Sequence, residues 1–173
     1  MANEVVEKSM ELDSPIPTGP WTLYFHSPEE TKWTLTTFTS VCSVKTWRDF
    51  WNLIDVLKME SFSEGAFFIM RDPLPPLWEH HQNIRGGCYS FRCQKKDAAD
   101  VYINYIIASM LQKLTHADNI INGLSISLKR GFNVIKVWNM NAQAFHNVSD
   151  LDNTISSVKD SDIIYTPFVE KKM

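Results

Sequence analysis

Trp78 and Glu79 stand side by side in Leu77-Trp78-Glu79-His80-His81. An indole offers a broad, electron-rich face, and the carboxylate beside it offers two acceptor oxygens. Together they suit a guanine base that is stacked on one side and read along its Watson–Crick edge. A second tryptophan, Trp33, follows Ser27-Pro28-Glu29-Glu30-Thr31-Lys32 in another loop-like stretch. Two indoles converging from separate loops would sandwich a flat cation, and N7-methylguanine is one. The competing expectation is that both are core residues, since most tryptophans are largely buried.

Other chemistry is poorly represented. The chain has no phosphate-cradling glycine loop, no nucleophile elbow, and no His-x-x-x-His or Cys-x-x-Cys pair. His80 and His81 are adjacent, a poor spacing for joint metal ligation. Cys88 and Cys93 would face opposite sides of a strand. No catalytic residue, metal or cofactor is expected, and the chain reads as a binding protein rather than an enzyme.

The elements that must position these residues fit one domain. At 173 residues with 44% hydrophobic content, the chain can bury a sizeable core. A mean hydropathy of -0.21 and the lack of a long apolar run argue against a membrane span. The acidic start, Met-Ala-Asn-Glu-Val-Val-Glu-Lys, carries no apolar signal segment, and three cysteines make no disulfide framework. Cytoplasmic residence is the economical expectation, with the nucleus as the second compartment. A net charge of -3 is a poor footprint for coating long nucleic acid but permits recognition of one terminal nucleotide.

Residues 1–13 read as a flexible tail and 14–173 as the folded domain, entered through the proline-stiffened Ser14–Pro20. Trp21–His26 and Thr34–Val41 read as strands. Ser43 is the expected N-cap of a helix over Val44–Leu57, with Trp47, Phe50, Trp51, Ile54 and Leu57 at helical spacing. Ala66–Met70 reads as a buried strand, Arg71–Asn83 as a proline-broken loop, and Cys88–Cys93 as a strand. Ala98–Lys113 is the best long helix, with Val101, Tyr105, Ala108, Leu111 and Leu114 near one face. Ile121–Lys129 and Phe132–Trp138 form an expected hairpin turning at Arg130-Gly131. A weaker helix is expected over Asp150–Val158, capped by Ser149, and a last strand near Ile163–Thr166. This order predicts an α+β fold, an antiparallel sheet with helices on one face. Alternation puts Leu124, Ile126 and Leu128 under the helices, with Ser125, Ser127 and Lys129 on the open face.

The order Trp21-Thr-Leu-Tyr-Phe, Trp33, Asp49-Phe50-Trp51, Trp78-Glu79, Arg85-Gly86-Gly87 and Trp138 resembles the eukaryotic translation initiation factor 4E family of mRNA cap-binding proteins. The resemblance runs from about Ser14 to Tyr165. It implies a single curved antiparallel sheet with helices on the convex face and a cap slot on the concave face. It implies that Trp33 and Trp78 stack on the 7-methylguanosine cap, that Glu79 accepts from guanine N1–H and the N2 amino group, and that Trp138 approaches the N7-methyl group. Lys129 takes the place of a phosphate-binding arginine. Val134 stands where the family usually has a phosphate-binding lysine, and Cys88 where it usually has arginine. Lys136 and Arg92 are the replacements on the same face, with Lys171 and Lys172 as further candidates in a shortened tail.

The resemblance also implies a second surface. Trp51, with Trp47 one turn earlier on the same face, matches a helix that docks a scaffold or repressor carrying a Tyr-x-x-x-x-Leu-hydrophobic helix. Pro15 and Ile16 stand near the place of a His-Pro-Leu segment, without its histidine. Asn104, Tyr105 and Ala108 replace the usual Leu, Glu and Leu. The implied activity is that of a monomer handing capped mRNA to initiation partners. The rival is a cap-binding repressor or adaptor that withholds mRNA; a cap-hydrolysing enzyme would need a histidine triad or a glutamate-rich metal helix.

Overall fold

The computed structural model describes residues 11–56, 64–116, 118–152 and 158–169. The strands among these residues are β1 (Trp21–His26), β2 (Phe38–Val44), β3 (Ala66–Arg71), β4 (Gly87–Cys93), β5 (Ile121–Leu128), β6 (Asn133–Asn139) and β7 (Ile164–Pro167). The α-helices among them are α1 (Trp47–Val56) and α2 (Lys95–Met110). The strands form one antiparallel sheet in the order β2-β1-β3-β5-β6-β4-β7. Register shifts between Leu23 and Tyr24 and between Ile121 and Gly123 are bulges of the kind that bend a strand. The α+β architecture is therefore the expected one.

Period-two alternation sorts the strand residues between two faces. Trp21, Leu23, Phe67, Ile69, Tyr89, Phe91, Leu124, Ile126, Ile135 and Val137 join one core with the inward residues of both helices. The deeply buried Tyr102 of α2 crosses to the sheet, where its hydroxyl donates to the Leu124 carbonyl at 3.1 Å. The opposite face is open apart from a smaller cluster of Ala66, Phe68, Met70, Leu74, Cys88 and Trp138.

Several local expectations change. The first part of the Thr34–Val41 segment is a 3-10 turn at Leu35–Thr37, and β2 starts at Phe38 and runs on to Val44. Ser43 is thus a strand residue, not a cap. The residue before α1, Thr46, accepts from Asp49 N–H at 3.2 Å, while the Asp49 carboxylate accepts from Thr46 N–H at 3.0 Å and Lys45 N–H at 2.9 Å. That reciprocal pair stops the strand and starts the helix. The hydrogen bond from Lys45 leads the causes that hold the Asp49 carboxyl below its usual range. α2 begins three residues earlier than expected, at Lys95. The expected helix over Asp150–Val158 falls largely on 153–157, outside the described residues, as do Leu57, Lys171 and Lys172; before it, Val148–Asp150 is a 3-10 turn.

The lead-in packs onto α1. Ile16 N–H donates to Lys45 O at 2.9 Å and Arg48 N–H to Leu12 O at 2.7 Å. Arg48 also grips Asp13 through two hydrogen bonds, of 2.7 and 3.1 Å. No helix among the described residues is long and apolar enough to cross a membrane.

An aromatic floor between two exposed tryptophans

The open face carries the candidate site. Directly opposed residues run across it in rows. One row is Cys88, Trp138, Gly123, Met70 and Thr22; the next is Ser90, Lys136, Ser125, Phe68 and Tyr24; a third is Arg92, Val134 and Ser127. Glycine at 123, opposite Trp138, leaves room for the Met70 sulfur, which a Cβ there would displace while also coming within 2.9 Å of the Ile69 carbonyl oxygen. The missing side chain lets Met70 fill the floor beneath the indole.

Aromatic contacts link the two loop tryptophans across this floor. Trp33 lies 6.3 Å from Phe68, Phe68 6.0 Å from Trp138, Trp138 5.2 Å from Phe168, and Phe168 6.3 Å from Trp78. Trp33 and Trp78 keep 54% and 44% of their surface exposed, which excludes a core role for either. Trp33 lies flat on the buried His26 ring at 3.7 Å and 4°. Trp78 tilts over Phe168 at 33°. Each indole is thus held at one end of the floor with surface to spare. Trp138 is buried, with its indole N–H unpaired among the described residues. Glu79 is exposed beside Trp78.

The loop bearing Trp78 is held from behind by asparagines. Buried Asn83 donates from Nδ2 to Leu77 O at 2.8 Å and Pro75 O at 3.0 Å, and its Oδ1 accepts from Asn122 Nδ2 at 3.0 Å. Asn139 Oδ1 accepts from Gly87 N–H at 3.1 Å and from the Tyr165 hydroxyl at 2.8 Å. Its Nδ2 donates to Asn119 Oδ1 at 3.0 Å and Phe145 O at 2.8 Å. Burial pushes the Tyr89 hydroxyl, beside Asn119, up to about 12, and raises Tyr165 as well, so both stay neutral at physiological pH. None of these asparagines was singled out from sequence. Asn122 and Asn139 did carry a signal, being poor strand formers inside strand runs. Asn83→Ala would remove three hydrogen bonds and leave Pro75 O unpaired, while Leu77 O keeps His80 N–H and Asn122 Nδ2 keeps Gln82 O, for a total cost of about 1–3 kcal/mol. A clearly lowered thermal midpoint is expected, with Trp78 fluorescence shifting before global unfolding; an unchanged melt would remove Asn83 from this role.

The cations are spread unevenly. Lys136 lies mid-sheet between Ser90 and Ser125, one pleat from Trp138. Burial pushes the Cys88 thiol up, and the Lys136 charge partly offsets this. Lys129 is exposed and lines a recess of about 230 Å³ with His26, Trp33, Ser127 and two acids, Glu30 and Glu64. Arg92 is exposed, its guanidinium 4.8 Å from the centre of the Phe132 ring. Among the described residues no cluster of His, Cys, Asp and Glu could hold a metal ion.

The second surface requires corrections. Trp47 is 1% exposed and Trp51 37% exposed, so the two indoles do not share an outward face. At about 3.6 residues per turn, Trp47, Phe50 and Leu53 share the inward arc and Trp51 falls at its rim. Ile16, Tyr105 and Ala108 are buried too and offer a partner no surface, because all three belong to the core between helices and sheet. Pro15 and Asn104 are exposed, and α2 turns half-buried Ile103 and Ile107 outward beside Asn104. That pair, at i and i+4, was legible as a stripe but was not singled out.

A family model for eukaryotic initiation factor 4E matches residues 18–168. Among curated proteins, the chain is 26% identical over 125 residues to eukaryotic translation initiation factor 4E of Saccharomyces cerevisiae, covering 68% of this chain and 58% of that protein. It is 26% identical over 140 residues to the Candida glabrata protein of the same name, covering 76% and 65%. The chain thus spans less than two thirds of the length of these relatives. Among solved structures, it resembles C. elegans eIF4E-3 in complex with the 4E-binding protein Mextli and a cap analog. The TM-score is 0.73 at 15% identity, with 88% of this chain and 91% of that one covered. At that identity the likeness is one of fold.

Proposed function

The chain belongs to the eukaryotic initiation factor 4E family, and on that premise we propose that it binds the 7-methylguanosine 5′ cap of mRNA and supports translation initiation through a scaffold partner, without catalysis. One observation carries the proposal: two exposed indoles flank a single aromatic floor, with Glu79 beside one of them. The methylated base is a flat cation. Stacking contributes on the order of 1–3 kcal/mol per base, and its charge adds roughly 0.5–2 kcal/mol over an indole. Trp33 and Trp78 supply the two stacking faces and Trp138 the floor beneath the methyl group. Glu79 accepts the two donors of the guanine edge, a pattern that adenine lacks.

For the phosphates, Lys136 is the best placed cation, flanked by two hydroxyls and close to Trp138. Lys129 shares its recess with two carboxylates, which weakens its pull on an anion. Arg92 lies in the next row. The two lysines act as point charges, so their grip is looser in geometry than the fork that Arg92 can offer.

Retention on immobilised 7-methyl-GTP, with elution by 7-methyl-GTP but not by GTP, tests the reading. Equal elution by both nucleotides would refute it. In the same assay Glu79→Ala leaves the guanine donors unpaired and is expected to weaken binding by about 2 kcal/mol or more, without loss of fold because the side chain is exposed. Unchanged calorimetric affinity would assign the edge to another group.

Burial of Tyr105 and Ala108 keeps the second reading alive, that of a cap-binding repressor or adaptor. Trp51, Pro15, Asn104, Ile103 and Ile107 then form a partner face unlike the family's usual one. The identity of the protein retained on this face decides between the two roles.

A further inference from the structure

Phe168 follows the edge strand β7 and is tied down by its backbone N–H, which donates to Gly86 O at 3.0 Å. Its ring stands edge-on to Trp138 at 5.2 Å and 68°, and tilts against Trp78 at 6.3 Å and 33°. Phe68 stands edge-on to Trp138 at 6.0 Å and 83°. Three rings therefore make a corner at the end of the floor, and among the described residues Phe168 links that corner to the exposed indole of Trp78.

We propose that Phe168 contacts the ligand and, with Trp138, forms the corner that receives the N7-alkyl group, so that it sets the preference for an N7-alkylated guanine nucleotide over the unmodified one. The proposal rests on the cap-binding reading. Two effects act in the same direction. An N-methyl group on a cationic ring carries positive charge outward, and the faces of aromatic rings attract it, as in cages for quaternary ammonium groups. An unmethylated N7 instead presents a lone pair, and the corner strips its water while the unpaired Trp138 indole N–H is sealed inside the protein and not offered to it. Removing the Phe168 ring opens the corner to solvent. The methylated base then loses its attraction, and the unmethylated base is relieved of its penalty.

The test is titration of the full chain with 7-methyl-GTP and with GTP, comparing wild type with Phe168→Ala, Phe168→Leu and Phe168→Tyr. Phe168→Ala is expected to narrow the affinity ratio by about fivefold to tenfold, mainly through weaker 7-methyl-GTP binding. Phe168→Leu, which keeps bulk without a π face, should narrow it similarly, and it decides the matter if the alanine variant does not fold. Phe168→Tyr should keep the wild-type ratio. An unchanged ratio in both Phe168→Ala and Phe168→Leu overturns the proposal, whether the two affinities hold or fall together. Falling together would mean that Phe168 acts only by holding the Gly86 and Trp78 loop. A wild-type ratio near one is a separate outcome, which overturns the cap reading itself and this proposal with it.

Discussion

Trp78→Ala is expected to abolish retention on 7-methyl-GTP while leaving the fold intact. The indole supplies one face of the proposed stack and half of its attraction for a cationic ring. Losing it removes roughly 2–4 kcal/mol, a fall in affinity of about 30-fold to 1000-fold. The fold should survive because Trp78 is 44% exposed and its loop is held by Asn83 and Asn122 rather than by the indole. Fluorescence titration and a thermal melt measure the two quantities on one sample. An affinity within twofold of wild type would exclude Trp78 from the slot. Trp33→Ala is a less clean probe, since its indole also covers buried His26.

The second large effect separates two tryptophans four residues apart. Trp47 is 1% exposed and packs edge-on against Phe50 at 5.9 Å and 85°. Trp47→Ala should destabilise the domain by about 3–5 kcal/mol, a large share of the roughly 5–15 kcal/mol that holds a typical domain together. Trp51 is 37% exposed and meets Phe50 at 5.1 Å from the outer side. Trp51→Ala should lower stability by no more than about 1 kcal/mol. It should nonetheless abolish capture of a helical scaffold peptide, since truncating an aromatic anchor commonly costs about 2–4 kcal/mol of binding. Urea melts rank the two variants, and a peptide pull-down with 7-methyl-GTP retention as control reads the surface. If Trp51→Ala melts as early as Trp47→Ala, Trp51 belongs to the core and the partner face lies elsewhere.

Local chemistry made much of the fold legible. Trp21–His26, Ala66–Met70 and Cys88–Cys93 alternate or run apolar between turn signals, so they become strands whatever surrounds them. The hairpin was legible from two such runs and Gly131, whose φ of +89° suits glycine. Helix entry was read less well. Ser43 and Thr46 are both plausible caps by type, and only the extra strand length bonded to β1, together with the Asp49 partner, selects Thr46. The same limit affected the Trp47–Trp51 pair: helical spacing says that two residues are neighbours, not which one faces the sheet.

By itself, then, the order of residues determined an antiparallel α+β domain, the presence of Trp33, Trp78 and Glu79 in loops, and the absence of any catalytic constellation of the usual kinds. Each of these follows from spacing along the chain. Tertiary structure decided that the loop tryptophans stand at the ends of one aromatic floor, and that Lys136, between two serines, is a less encumbered cation than Lys129. It also decided that Ile16, Trp47, Tyr105 and Ala108 are core, that Asn83 and Asn122 hold the loop bearing Trp78, and that Phe168 closes the corner beside Trp138. Most of these features join residues far apart in the chain, such as Phe68 with Trp138 and Trp78 with Phe168. Such contacts form only when the sheet's register brings distant segments together, and no periodicity in a single sequence carries that register.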